Sequence, residues 1–398
     1  MHIIATGNTA AATGVKLAGA QVIAAYPITP QTPLTEKLSE FVASGEMQAE
    51  YIPVESEHSA LAVCIAAAST GARTFTATSA NGLLYMHEQI HWAAGARLPI
   101  VMCVANRGVG APWSVWNDHQ DSISQRDTGW IQIHCAGHQQ IIDSVIQAFR
   151  LAETVRIPVM VCYDGYLLSH THMPFDVPEP ERVDRFLADS RPSRLLEPEA
   201  PRNLNTVTLP EVRPDVRGDM APAYMEIRHT LQRDLEQVPA VWAEIDNRFQ
   251  SLFDRNSHPF FNTYRCEDAE VIALCLGSLS RQLRKTTDIL REKGRRVGVV
   301  ALRLYRPFPA RELAELLGGT ARVLVFEKAL SYGYEGALTS DLKAALYHLP
   351  RRPVIGHRIL GLGGRTIKTE DLCQALDAFC DAPENAGQEP PAWIGLKC

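Results

Sequence analysis

Gln21-Val22-Ile23-Ala24-Ala25-Tyr26-Pro27-Ile28-Thr29-Pro30-Gln31-Thr32-Pro33 packs three structural signals into one stretch. Gln21 to Ala25 is a short apolar run that reads as a strand. A polar loop framed by Pro27 and Pro30 follows. Thr32 then predicts a helix cap, with Pro33 at the first helical position, where a missing N–H costs nothing. The pattern recurs. Tyr51 to Val54 reads as a strand and Ser56 to Thr70 as a helix of small residues stopped by Gly71. Thr74 to Thr78 reads as a strand and Leu83 to Ala94 as a helix. Pro99 to Ala105 and Pro158 to Tyr163 are continuous and apolar rather than alternating, the mark of buried parallel strands. The prediction is an α/β fold with a parallel sheet covered on both faces. Ligands of such sheets bind beyond the carboxyl ends of the strands. The loops at 26–32, 55–58, 79–82 and 106–112 are therefore expected to gather on one edge.

From His172 to about Arg217 prolines and charges are dense and apolar periodicity fades, which predicts an extended connector. Residues 222–256 read as an amphipathic bridging helix. A second α/β unit follows: strands at Val271–Leu276, Val297–Leu302 and Arg322–Phe326, helices at Arg281–Lys293 and Gly336–Tyr347. The expected domains are 1–172, the connector and bridge 173–256, a second domain 257–385 and a loose tail 386–398.

The 398-residue chain exceeds one ordinary core. Its net charge of −6 advertises no basic face for nucleic acid or anionic membrane. No apolar run is long enough to span a bilayer, and Met1–Ala5 shows no export pattern, so a cytoplasmic location is expected. The nine cysteines form no Cys-x-x-Cys pair and sit mostly in apolar runs, as buried free thiols do. His170 and His172 lack a third ligand, so no metal site is expected. No Gly-x-Ser-x-Gly elbow, Walker loop or Gly-x-Gly-x-x-Gly fingerprint is present.

Three residues stand out for chemistry. Glu57 precedes the apolar run Ala60 to Ala68, where weak hydration raises a carboxyl pKa and suits it to proton exchange. An acid in a first helical turn equally satisfies backbone N–H groups and the dipole, and Glu55 competes for the same role. Arg107 follows the apolar strand Ile100–Ala105 and can grip a carboxylate with two parallel hydrogen bonds. A structural ion pair with Asp118 or Asp121 is the alternative. Thr29, stiffened by its prolines, suits substrate positioning or a plain rigid turn. The polar stretches Asn117–Asp121 and Arg126–Trp130 read as a lid, a partner interface or a solvated loop.

Several long motifs in order resemble the alpha subunit of pyruvate:ferredoxin oxidoreductase and the related 2-oxoacid:acceptor oxidoreductases that use thiamine diphosphate. They are Tyr26-Pro27-Ile28-Thr29-Pro30-Gln31-Thr32-Pro33, Val54-Glu55-Ser56-Glu57-His58, Gly71–Ser79, Arg97–Met102, Asp118–Ser122, Arg126–Trp130 and Asp164–Thr171. In the second half, Arg306-Pro307-Phe308-Pro309 and Val325-Phe326-Glu327-Lys328 resemble a transketolase C-terminal type of domain. The resemblance implies a thiamine diphosphate domain of the pyrimidine type followed by that domain. It implies that Glu57 bonds N1′ of the thiamine aminopyrimidine, and that Thr29 and Arg107 contact the substrate, Arg107 at its carboxylate. Pro27, Ile28 and Asn81 fall among the cofactor-binding positions, and Glu55 becomes secondary. The implied reaction is oxidative decarboxylation of a 2-oxo acid of the pyruvate class, with coenzyme A as co-substrate and ferredoxin or a similar acceptor.

Two segments depart from the family pattern. Ser79-Ala80-Asn81-Gly82 lacks the usual glutamine or proline, and Asn106-Arg107-Gly108-Val109-Gly110 carries extra glycines. Smaller residues beside Arg107 imply room for an aryl (phenylglyoxylate-type) or branched-chain 2-oxo acid. No Gly-Asp-Gly motif for Mg²⁺ and diphosphate is present, since Asp164-Gly165 is not preceded by glycine. The resemblance therefore places Mg²⁺, the diphosphate wall and the [4Fe-4S] clusters in beta, gamma and delta-type partner subunits. A scaffold subunit that keeps the fold without the activity is the different-class alternative.

Overall fold

The computed structural model describes residues 1–190, 211–214, 220–383 and 390–397. Its larger sheet has seven strands in the order Leu304–Arg306, Ile131–Cys135, Val159–Asp164, Ile100–Asn106, Thr74–Thr78, Val22–Ala25, Glu50–Pro53. All pairings are parallel except that of Leu304–Arg306 with Ile131–Cys135. Every residue of Thr74–Thr78, Ile100–Asn106, Ile131–Cys135 and Val159–Asp164 is buried, as expected of strands covered on both faces. Parallel pairing points their carboxyl ends one way, so the loops after Ala25, Pro53, Thr78 and Asn106 leave from one edge.

The second sheet has six strands: Phe261–Tyr264, Val297–Leu302, Val271–Leu276, Arg322–Glu327, Val354–Leu360 and Ala392–Ile394. Only Phe261–Tyr264 is antiparallel to its neighbour. One face of this sheet, with Ile272, Leu274, Val300, Val323 and Val325, joins the same apolar core as the first sheet. The units are thus packed together, and Leu304–Arg306 carries the chain of the second into the sheet of the first.

The helix Tyr224–Phe253 buries Leu231, Val238, Trp242, Ile245 and Phe249 along one side. In its C-terminal half, the buried guanidinium of Arg303 donates to Asp246 Oδ1 at 2.7 Å and Gln147 Oε1 at 2.7 Å and lies over the Trp242 ring. This one cation ties the bridge to both units.

Several elements differ from expectation. The helix after the proline-framed loop spans Thr32–Ala43, so Gln31 is its N-cap and Thr32 its first residue. The expected helix Leu83–Ala94 is two helices, Ala80–Tyr85 and His87–Gly95, which meet at Met86. The stretch read as a connector opens with a strand, His172–Asp176, antiparallel to His2–Thr6, and a helix, Pro180–Leu187. Residues 191–210 and 215–217 of that stretch lie outside the described ones. Ala392–Ile394, read as loose tail, adds a strand to the second sheet.

Candidate active site

Four loops expected at one sheet edge do meet there: hydrogen bonds join those at 26–32, 79–82 and 106–112, and the 55–58 loop meets them through the close approach of Gly82 to Glu57. Arg107, one residue beyond the strand Ile100–Asn106, turns back under the Tyr26–Gln31 loop. Its Nη1 donates to the carbonyl oxygen of Thr29 at 2.6 Å and its Nε to that of Ser114 at 2.9 Å. The Trp113 ring lies 5.4 Å from the guanidinium. A guanidinium has five N–H donors, so three remain for a ligand. Burial pulls its pKa down, while the negative charge of Asp121 opposes this most. Among the described residues neither Asp118 nor Asp121 forms an ion pair with the Arg107 side chain; Asp121 accepts the Arg107 backbone N–H instead.

Glu57 begins the helix Glu57–Ser69, whose N-cap is Ser56: the Ser56 hydroxyl accepts the Ser59 N–H at 3.2 Å. Because Ser56 caps the Ser59 N–H, the Glu57 carboxylate is engaged only by its own backbone N–H. It is buried and accepts no hydrogen bond from any other described residue. Burial raises its pKa, against the bond from its own backbone N–H and the charge of Arg107. Glu55 is exposed, bonded to the Ser59 hydroxyl and held below the usual carboxylate range by that bond. The two acids flanking Ser56 are therefore opposite in character, one solvated and ionised, one buried with a raised pKa.

The third wall is the helix Ala80–Tyr85. Gly82 sits so close to Glu57 that a Cβ there would lie 2.5 Å from Glu57 Oε1 and 2.6 Å from Thr78 Oγ1. Thr78 Oγ1 is itself buried without a partner. Asn81, exposed, accepts the Gly110 N–H at 3.0 Å and so joins this helix to the Arg107 loop. Pro30 is anchored from below, its carbonyl accepting Asn8 Nδ2 at 2.9 Å while Tyr163 holds Asn8 Oδ1 at 2.8 Å. Thr29 and Pro27 are exposed on the loop and Ile28 is half-buried.

Around these residues the structure gives Asp121 and its neighbours places that their sequence did not announce. Asp121 is completely buried and accepts four N–H bonds: from Ala80 N and Arg107 N on Oδ2, and from Asn106 Nδ2 and Ser122 N on Oδ1, at 2.8–3.0 Å. Burial pushes its pKa up to about 6 against those bonds. The polar stretch Asn117–Asp121 is neither a lid nor solvated. Its members Asn117, Asp118, His119 and Asp121 are buried where the second unit docks. Lys328 Nζ donates to Asn117 Oδ1 at 3.0 Å and Asp164 Oδ2 at 3.1 Å, His119 Nε2 meets Asp164 Oδ1 at 2.5 Å, and Ser278 adds two bonds to Asp164. Burial acts to raise the Asp164 pKa, but Lys328 and His119 hold it well below its ordinary value.

Residues 13–234 match the family described as pyruvate flavodoxin/ferredoxin oxidoreductase, thiamine diphosphate-binding. The chain belongs to the pyruvate flavodoxin/ferredoxin oxidoreductase family. Residues 269–372 also match pyruvate:ferredoxin oxidoreductase core domain II. Pyruvate synthase subunit PorA of Methanocaldococcus jannaschii is 42% identical over 399 residues, covering 99% of this chain and 98% of the relative. Ketoisovalerate oxidoreductase subunit VorA of Pyrococcus horikoshii is 43% identical over 371 residues, 93% of this chain and 91% of the relative. A 2-oxoglutarate:ferredoxin oxidoreductase from Magnetococcus marinus superposes with a TM-score of 0.70 at 20% identity, over 96% of this chain and 65% of that one, a likeness of fold. A split-gene transketolase superposes with a TM-score of 0.55 at 13% identity.

For this oxidoreductase family, the residues present fit one half of a thiamine diphosphate site. A buried carboxyl with a raised pKa is the kind of donor an aminopyrimidine nitrogen needs, and Glu57 is such a group. No group of His, Cys, Asp and Glu capable of holding a metal ion occurs among the described residues. No helix among them is long and apolar enough to cross a membrane.

Proposed function

We propose that this chain is the alpha subunit of a pyruvate-class 2-oxoacid:acceptor oxidoreductase and supplies the pyrimidine-side wall of its active site. The observation that carries the proposal is the placing of a buried acid and a buried arginine on one sheet edge, close enough for each charge to shift the other's pKa. In this reading Glu57 holds the aminopyrimidine at N1′ through its carboxyl proton, beside the Asn81–Gly82 turn and the Pro27–Ile28 segment. Arg107 binds the substrate carboxylate with the N–H donors not given to Thr29 and Ser114, and the Thr29 side chain lines the same opening. Thiamine diphosphate, when bound, supplies the electron sink that lets carbon dioxide leave.

Partner subunits of the beta, gamma and delta type would supply Mg²⁺, the diphosphate wall and the [4Fe-4S] clusters, in a cytoplasmic complex that passes electrons to ferredoxin and the acyl group to coenzyme A. Similarity to PorA supports pyruvate. Equal similarity to VorA, with Gly108 and Gly110 beside Arg107, supports a branched-chain 2-oxo acid as the second reading. The test is the substrate profile of the assembled complex with ferredoxin and coenzyme A. The proposal expects the highest kcat/KM on pyruvate or 2-oxoisovalerate, and turnover of no 2-oxo acid would end it.

A further inference from the structure

We propose that Asp121 is a positioning residue that clips the Ala80–Gly82 turn to the Arg107 loop and thereby sets the placing of Glu57 relative to the guanidinium. This rests on the roles proposed above for Glu57 and Arg107.

The two walls of the site come from segments far apart in sequence, the end of Thr74–Thr78 and the end of Ile100–Asn106. One carboxylate oxygen joins them. Asp121 Oδ2 accepts the N–H of Ala80 at 3.0 Å and the N–H of Arg107 at 2.9 Å. The other oxygen is held by Asn106 Nδ2 and Ser122 N, both at 2.8 Å, so the carboxylate has one orientation. Four N–H bonds fill the acceptor sites of a carboxylate.

What the clip holds is specific. Ala80 adopts φ +43°, a left-handed conformation that a residue with a Cβ keeps only when its surroundings impose it. That turn delivers Gly82 against Glu57 and Asn81 to the Gly110 N–H. On the other side, fixing the Arg107 N–H fixes the start of the side chain that reaches Thr29. Asp121 is fully buried with no ion-pair partner among the described residues, an expensive place for a carboxylate unless its bonds are all made.

Asn106 Oδ1 is buried without a partner. In Asp121→Asn the new amide can therefore face Asn106, whose own amide turns over to accept, while the remaining oxygen keeps the Ala80–Arg107 clip; the Ser122 N–H alone loses its acceptor, which leaves both clipped amides bonded. Asparagine is the conservative variant, and alanine removes the clip.

The test uses the assembled complex. Hydrogen exchange in the wild type comes first: the Ala80 and Arg107 amides should be protected together, and exchange of either at the rate of an exposed loop overturns the proposal whatever the variants do. Asp121→Ala should raise the KM for the 2-oxo acid at least tenfold and speed exchange at both amides, while Asp121→Asn restores KM to within threefold of wild type. A merely structural residue would lower the yield of complex or kcat and leave KM unmoved, and an unmoved KM in Asp121→Ala overturns the proposal. A wild-type complex that turns over no 2-oxo acid would refute the underlying reading instead.

Discussion

Arg107 Nη1 donates to the carbonyl oxygen of Thr29 at 2.6 Å, so the two residues read from the sequence as substrate contacts are bonded to each other. The loop that frames the pocket and the cation that charges it form one unit. Lysine cannot hold a backbone carbonyl and a carboxylate in the same planar fork. Arg107→Lys is expected to raise the KM for a 2-oxo acid by about 10–100-fold, matching the ~1.5–3 kcal/mol of a hydrogen bond to a charged group, with a smaller change in kcat. Steady-state kinetics of the assembled complex measure it.

Gly82 is expected to tolerate no side chain. A Cβ there would meet Glu57 Oε1 at 2.5 Å and Thr78 Oγ1 at 2.6 Å, and both belong to packed elements. Gly82→Ala should cost about 1–3 kcal/mol of stability from overpacking. It should also lower turnover by more than that loss of stability suggests, because the displaced group is the carboxyl of Glu57. Thermal melting and kcat on the same preparation separate the two effects.

The buried seam of Lys328, Asp164, His119 and Ser278 should behave as a unit. Lys328→Met leaves Asp164 buried with its main cation gone, a loss of about 3–5 kcal/mol, and adding Asp164→Asn should recover part of it. The pH sign follows from the depressed Asp164 pKa. Its stabilisation is fully present above the unfolded carboxyl value of about 3.9 and is lost as pH falls below it toward the lower folded value. Asp164→Asn should therefore flatten the acid limb of stability below about pH 4. Unfolding at a series of pH values reads this directly.

Glu57 carries the opposite sign. Its pKa is raised by burial, so the folded chain binds the proton more tightly than the unfolded one. Stability falls as pH rises from the unfolded value of about 4.3 through the raised one. Glu57→Gln is thus expected to melt at least as high as wild type at pH 8, with the difference vanishing below about pH 4. A lower Tm for the variant at pH 8 would contradict the raised pKa.

Much of the sheet and three members of the site were legible because local chemistry announces them. Continuous apolar runs mark buried parallel strands, and Ser56 marks a helix start with Glu57 just inside it. What stayed hidden depends on distant partners. Ile131–Cys135 reads poorly as a strand because Gln132 and His134 interrupt it, yet both are buried in the sheet. The break at Met86 carries no glycine or proline to signal it. Asp121 was visible only as a possible partner for the Arg107 side chain, whereas it binds that residue's backbone N–H together with Ala80's, a role set by the meeting of three loops rather than by its neighbours in sequence. Lys328 and Asp164 find each other across 164 positions of chain.

The most direct test of the catalytic assignment is turnover of a 2-oxo acid by the assembled complex carrying Glu57→Gln. Glutamine keeps the shape of the side chain but holds no acidic proton, so kcat is expected to fall by about 10²–10⁴-fold, with assembly and Tm preserved. Wild-type turnover in that variant would show that Glu57 does no chemistry and that this chain is a scaffold.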